Sequence, residues 1–254
     1  MSQLQRVAIA PEQINNQLIN LTTDQQHYLL KVLRLREGDK FIAMDGKGKA
    51  WQAILTNTQA QILEPDNLQN ELPINITLVV ALPKGNNFDE VVRQATELGV
   101  ICIVPVISDR TLLNPSPQKI ERWRRIATEA AEQSERQIIP DILNSDNFSE
   151  YLSKINPNTS FTNYKYICES RGNYPHLLHC LQTQNLTKKT SINNTPSLII
   201  AIGPEGGWTE TEINQAIKAG FQPVSLGKRI FRAVTAPIVA LSLVAAAWEM
   251  GKID

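Results

Sequence analysis

Net charge is the first thing this sequence lacks: 25 Lys and Arg balance 25 Asp and Glu. A chain with no excess positive charge does not coat polyanions by bulk attraction, so a nucleic-acid partner has to meet a local basic patch. Cysteine is scarce. Cys102, Cys168 and Cys180 are too few, and odd in number, for a disulfide framework, which fits a reducing compartment. Long apolar runs are also missing. The longest, 236–248, contains Ser242 and falls short of the ~20 residues that span a bilayer. The opening MSQLQRVAIAPEQ has no apolar core of the secretory-signal kind. These absences point to a cytoplasmic globular protein with no membrane partner. What is present is a substantial core: 42% of 254 residues are hydrophobic, enough for one large or two modest domains.

The rhythm of the chain changes near residue 72. Before it, 40–44, 50–55 and 59–63 read as short strands, the first two separated by Asp45-Gly46-Lys47-Gly48-Lys49, a hairpin signal. A helical stretch occupies 23–35. Short strands with one helix predict a small β-barrel over 1–72, closed by the Pro-bounded linker 65–73. Beyond it, continuous apolar runs (76–82, 100–107, 164–168, 198–202, 222–226) alternate with helical patterns (88–98, 120–131, 210–217, 237–250). That alternation predicts an α/β domain over 73–254 with a mostly parallel sheet. Segments 142–160 and 182–197, rich in Asn, Ser and Thr, read as loops.

Two strand-to-helix loops stand out. Ile202-Gly203-Pro204-Glu205-Gly206-Gly207-Trp208 lets backbone approach a ligand closely, yet it is neither a dinucleotide fingerprint nor a P-loop. Taken alone it is equally a tight turn. Thr209 and Glu212 then form a capping box. The second loop, Leu226-Gly227-Lys228-Arg229-Ile230-Phe231-Arg232-Ala233-Val234-Thr235-Ala236, carries three cations and no acid. Thr235 is placed to cap the last helix. Glu129, Gln133 and Arg136 share one helix face, a pattern common on solvated surfaces. His176, His179 and Cys180 invite a metal, but no second ligand pair at zinc-like spacing accompanies them, and no metal is expected.

Taken together the strings resemble one family. They are His27-Tyr28-x-x-x-Val32-Leu33-Arg34, Ala95-Thr96-Glu97-Leu98-Gly99-Val100, Arg122-Trp123-x-x-Ile126, Glu129-Ala130-Ala131-Glu132-Gln133-Ser134-x-Arg136, Gly203-Pro204-Glu205-Gly206-Gly207 and Leu226-Gly227-x-Arg229-Ile230-x-Arg232-x-x-Thr235-Ala236. In order and spacing they are similar to the ribosomal RNA small subunit methyltransferase E family. The resemblance implies a SPOUT-type α/β domain with a C-terminal trefoil knot, preceded by a PUA-like RNA-binding barrel. It implies methylation of uracil N3 in 16S rRNA by S-adenosylmethionine, with free rRNA or the small ribosomal subunit as partner, and a homodimer. By the same resemblance the cofactor would lie among Ile202, Gly203, Pro204, Glu205, Gly206, Gly207, Leu226, Gly227, Ile230 and Thr235. Arg232 would be the catalytic cation. Arg6, Arg34, Lys84, Arg110, Arg125, Gln133 and Arg136 would hold RNA. One departure is visible: Ala233 and Val234 stand where the family's loop carries Thr and Glu. A catalytically silent RNA-binding protein of the same fold is the competing reading.

Overall fold

The computed structural model describes residues 4–85, 87–111, 114–155, 164–183 and 195–249. Contacts divide the chain into two units: Met1–Glu71 with Thr128–Ile139, and Leu72–Ala127 with Pro140–Asp254.

In the first unit, strands β1 (Arg6–Ala8), β2 (Ile14–Asn15), β3 (Leu18–Asn20), β4 (Lys40–Met44), β5 (Ala50–Thr56) and β6 (Gln59–Pro65) make one sheet in the order β1-β4-β5-β6-β3-β2. The Asp-Gly signal is a true hairpin: β4 and β5 pair antiparallel, and the Asp45 carboxylate accepts the Lys47 and Lys49 N–H groups at 2.7 and 3.0 Å. The core is built on Ile19, Leu29, Phe41, Ala53, Leu55 and Ala60. The expected 23–35 helix is shorter than its apolar pattern. A Thr22/Gln25 capping box starts α1 (Thr23–His27), which widens into a π-type turn over Tyr28–Val32; Arg34 at φ +59° lies beyond it.

The segment Thr128–Ile139, read from sequence as part of the second domain, clusters with this first unit. The Glu132 carboxylate accepts the Ala8 N–H at 2.7 Å. A Cβ on Gly46 would come within 2.8 Å of the Ile139 side chain, so only glycine allows that approach.

The second unit holds β7 (Asn75–Ala81), β8 (Cys102–Ile107), β9 (Asp141–Ile142), β10 (Asp146–Asn147), β11 (Tyr164–Cys168), β12 (Ser197–Ile202) and β13 (Gln222–Val224). All pair in parallel, in the order β10-β8-β7-β12-β11-β13, with β9 also on β8. The continuous apolar runs follow from this, because strands covered on both faces have no solvent side. Around the sheet lie α2 (Phe88–Glu97), α3 (Pro117–Gln133, its end in the first unit), α4 (Phe148–Lys154), α5 (Leu177–Thr183), α6 (Glu210–Lys218) and α7 (Thr235–Glu249). Helix α4 falls inside the expected 142–160 loop. Its polar composition hid two buried anchors, Phe148 and Leu152, and Phe148 stacks on Trp208 with centroids 4.3 Å apart. The 182–197 loop falls largely outside the described residues. Thr235 is the first residue of α7 rather than its cap: the Arg232 carbonyl accepts the Thr235 and Ala236 N–H groups, each at 2.9 Å. Among the described residues no helix is long and apolar enough to cross a membrane.

Candidate functional site

Strands β12, β11 and β13 are neighbours and run the same way, so their carboxyl ends share one edge of the sheet. The register is direct: Cys168 pairs with Ile202 on one side and Val224 on the other. Such edges are where open parallel sheets receive ligands. Three turns leave these ends, and they enclose a cleft. Cys168, Glu169 and Ser170 form one wall. Ile202, Gly203, Pro204, Gly207 and Trp208 form the second. Leu226, Gly227, Arg229, Phe231, Ala233 and Ala236 close the third.

Each wall has a local reason. Gly207 sits at φ +70° with open space where a Cβ would go, and its N–H bonds the Pro204 carbonyl at 2.8 Å; a side-chain-bearing residue rarely adopts this conformation. Behind the turn, a Cβ on Gly203 would meet the Trp208 indole at 3.2 Å. The expected capping box then starts α6: the Thr209 hydroxyl accepts the Glu212 N–H, and the Glu212 carboxylate accepts the Thr209 N–H. In the third turn the Ser225 hydroxyl accepts the Gly227 N–H at 3.0 Å, and the Arg229 guanidinium lies 5.9 Å from the Phe231 ring centroid. In the first, the buried Glu169 carboxylate accepts the Arg171 N–H at 2.8 Å.

Of the residues expected around a cofactor, Ile202, Gly203, Pro204, Gly207, Leu226 and Gly227 line the cleft. Glu205, Gly206, Ile230 and Thr235 do not. Glu205 instead accepts the Lys84 N–H at 3.0 Å, and Ile230 is 74% exposed. Arg232 is exposed and lies between the wall residues Phe231 and Ala233. The residues expected around a cofactor did not include the wall residues Cys168, Glu169, Ser170, Trp208, Arg229, Phe231, Ala233 and Ala236; Cys168 ends β11 and Trp208 follows a glycine, while nothing local marks Phe231.

The expected RNA residues separate into two groups. Arg34, Lys84, Arg125 and Gln133 are exposed. Arg6 and Arg136 are buried, at 8% and 3% exposure. Arg6 bridges Asp66 (3.1 Å) and Glu135 (3.3 Å), while Arg136 grips the Glu71 carboxylate through Nε (3.1 Å) and Nη2 (2.7 Å). These guanidiniums tie the first unit together. Their motif positions concealed this because the paired carboxylates are remote in sequence. Arg110 is exposed but donates to the carbonyls of Gly206 and Trp208.

The surroundings of the cysteines disfavour the thiolate form. Burial pushes all three thiols upward, Cys102 to about 11, and at Cys168 the neighbouring Glu169 adds to the effect. His176 and His179 are exposed, and the described residues contain no group of three His, Cys, Asp or Glu able to hold a metal.

Comparison with known proteins agrees with this architecture. A family model described as an RNA methyltransferase domain matches residues 70–245, and one described as an RNA methyltransferase PUA domain matches 21–63. The chain is 48% identical to the ribosomal RNA small subunit methyltransferase E of Synechocystis over 96% of its own length and 78% of the relative's. With the Bacillus subtilis protein of the same name the identity is 29%, covering 91% of each. A crystal structure of the Neisseria gonorrhoeae ribosomal RNA small subunit methyltransferase E bound to S-adenosyl methionine superposes with a TM-score of 0.80, at 34% identity, covering 97% of this chain and 98% of that one. The chain belongs to the ribosomal RNA small subunit methyltransferase E family.

Proposed function

We propose that this protein transfers a methyl group from S-adenosylmethionine to N3 of a specific uracil in 16S rRNA. The observation that carries the reading is the single cleft formed by three strand-end turns in a chain of this family. Its place at the carboxyl ends of parallel strands suits a small-molecule ligand. Its composition suits this one: apolar Ile202, Leu226, Phe231 and Ala233 for a flat base, backbone N–H and C=O groups for polar edges, and the Glu169 carboxylate for hydroxyls or positive charge. These residues would hold the donor, whose sulfonium supplies an activated methyl group.

The acceptor is the harder partner. Uracil N3 carries a proton and lies on the Watson–Crick edge, so the nucleotide has to be unpaired or extruded. As the N3–methyl bond forms, the donor's sulfur–methyl bond breaks and leaves a neutral thioether, N3 gives up its proton to water, and negative charge developing on O2 and O4 favours a fixed cation nearby. That task falls to Arg232 in this reading, supported by its exposure and its position between two wall residues. Arg34, Lys84, Arg125 and Gln133 are the exposed groups suited to flanking RNA. Ala233 is buried on the wall and Val234 half-buried, so the place of the family's Thr-Glu pair is apolar here. That feature favours the silent alternative, in which donor binds without transfer.

The proposal extends to a homodimer, supported by the apolar α7; to a trefoil knot built from the turns after β11, β12 and β13, supported by β12 lying between β7 and β11; and to the cytoplasm, where rRNA is found. Mass spectrometry of 16S rRNA nucleosides from cells with and without the protein tests the function. One N3-methyluridine should vanish with the gene product and return when purified protein and donor are added. Binding of donor without any methyl transfer to rRNA would establish the silent reading instead.

A further inference from the structure

The glycine turn at 203–208 is poorly suited to hold its own shape. Glycines 203, 206 and 207 give its backbone wide conformational freedom, and a turn that moves cannot present preorganised groups to a ligand. Its inner side lines the cleft through Gly203, Pro204, Gly207 and Trp208. Its outer side is gripped from elsewhere. The sheet order sets β7 beside β12 and β8 beside β7, so the segments that leave these two strands run alongside the turn.

From the end of β7, the Lys84 N–H donates to the Glu205 carboxylate at 3.0 Å. From the end of β8 comes a compact turn, in which the Thr111 N–H bonds the Ser108 carbonyl at 2.9 Å and the Arg110 N–H bonds the Ser108 hydroxyl at 3.3 Å. This turn is fastened to the start of α6, where Glu212 accepts the Asp109 N–H at 3.0 Å and Thr209 Oγ1 lies 3.0 Å from Asp109 Oδ2. From that anchored base the Arg110 guanidinium reaches the Gly206 carbonyl and, at 3.4 Å, the Trp208 carbonyl. Its stem lies against Gly206, where a Cβ would meet Arg110 Cδ at 3.1 Å.

We propose that Arg110 is a positioning residue for the donor: by bonding two carbonyls on the outside of the 203–208 turn, it holds the inner side in the form that receives S-adenosylmethionine. This rests on the donor assignment made above. Both bonds leave the one nitrogen Nη1, which the planar guanidinium holds in place, while a lysine ammonium on a flexible stem fixes the carbonyls less well. The role differs from the phosphate contact expected from sequence, and the two make opposite demands on the same variant.

The experiment compares wild type with Arg110→Ala and Arg110→Lys. In the donor-free protein, amide hydrogen exchange at 203–208 should quicken by about tenfold in the alanine variant, a size expected of one lost charge-assisted bond, with the sheet strands unchanged. S-adenosylmethionine binding by calorimetry should weaken by a similar factor, about tenfold, and KM for the donor should rise with it. Turnover at saturating donor and the salt dependence of rRNA binding should stay as in wild type, and Arg110→Lys should recover part of the loss. Unchanged exchange and donor affinity in the alanine variant, with a shallower salt slope for rRNA, would overturn the inference and make Arg110 a phosphate contact. If wild type itself fails to bind donor, the functional reading falls, and the positioning of the donor falls with it. Quickened exchange would then show only that Arg110 holds the turn.

Discussion

Arg232 and Arg136 both stand in family-like strings, yet one is exposed and the other buried. Arg232 is exposed beside the cleft, where a cation can meet charge that develops only during reaction. Replacing it with alanine should lower turnover by about a hundredfold or more while donor affinity stays within about twofold. Equal losses in both, measured by single-turnover kinetics and calorimetry, would make it a binding residue. Arg136 is buried against Glu71, whose second oxygen accepts the Gln137 and Ile138 N–H groups, each at 2.9 Å. Arg136→Ala leaves that carboxylate without its cation, so a loss of about 3 kcal/mol in urea unfolding is expected. A stable variant with weakened RNA binding would restore the role suggested by its string. Nothing in the local sequence separates these two arginines, because the partner that decides each one lies at remote positions.

Local rules work better for elements, and they fail where an element borrows its stability. The Thr209/Glu212 box and the β4–β5 hairpin are legible because their hydrogen bonds close within a few residues. Helix α4 is not, since its reason to exist is the packing of Phe148 and Leu152 into a core assembled from distant strands. The turn at 203–208 was legible as a glycine-rich candidate ligand loop, but not which of its residues face the cleft. At Gly207 the positive φ penalises any side chain even though space is open, so Gly207→Ala should cost about 1 kcal/mol of stability and weaken donor binding more than Ala substitutions on exposed faces. Thermal melts and calorimetry measure both. At the end of α3, burial raises the Glu132 carboxyl above its ordinary range and Glu129 adds to the rise, while the Ala8 N–H opposes it. A raised carboxyl favours its protonated form when folded. The stability tied to this group is therefore full below the ordinary carboxylate pKa and is lost as pH climbs through the raised value. Glu132→Gln can still accept the Ala8 N–H without titrating. Its urea midpoint should gain on wild type as pH rises from about 4 to about 7. A constant difference across that range would show that the carboxylate titrates normally.

For the molecule as a whole, zero net charge means that rRNA has to be met by particular exposed cations. Arg34, exposed just beyond the π-type turn, is proposed as one of them. Arg34→Ala should weaken rRNA binding, flatten its dependence on salt by about one counterion, and leave donor binding untouched. An unchanged salt slope would remove this residue from the interface. The amino-acid sequence by itself determined the change from short strands to an α/β rhythm near residue 72, the direction of the sheet and the two glycine- and cation-bearing turns, because periodicity, turn chemistry and capping act over a few residues. Tertiary structure alone decided that 128–139 joins the first unit, that Arg6 and Arg136 are buried in ion pairs, and that Arg110 grips the back of the 203–208 turn. Those outcomes depend on carboxylates and carbonyls many tens of residues away, which fold topology brings within hydrogen-bond reach and local sequence does not encode.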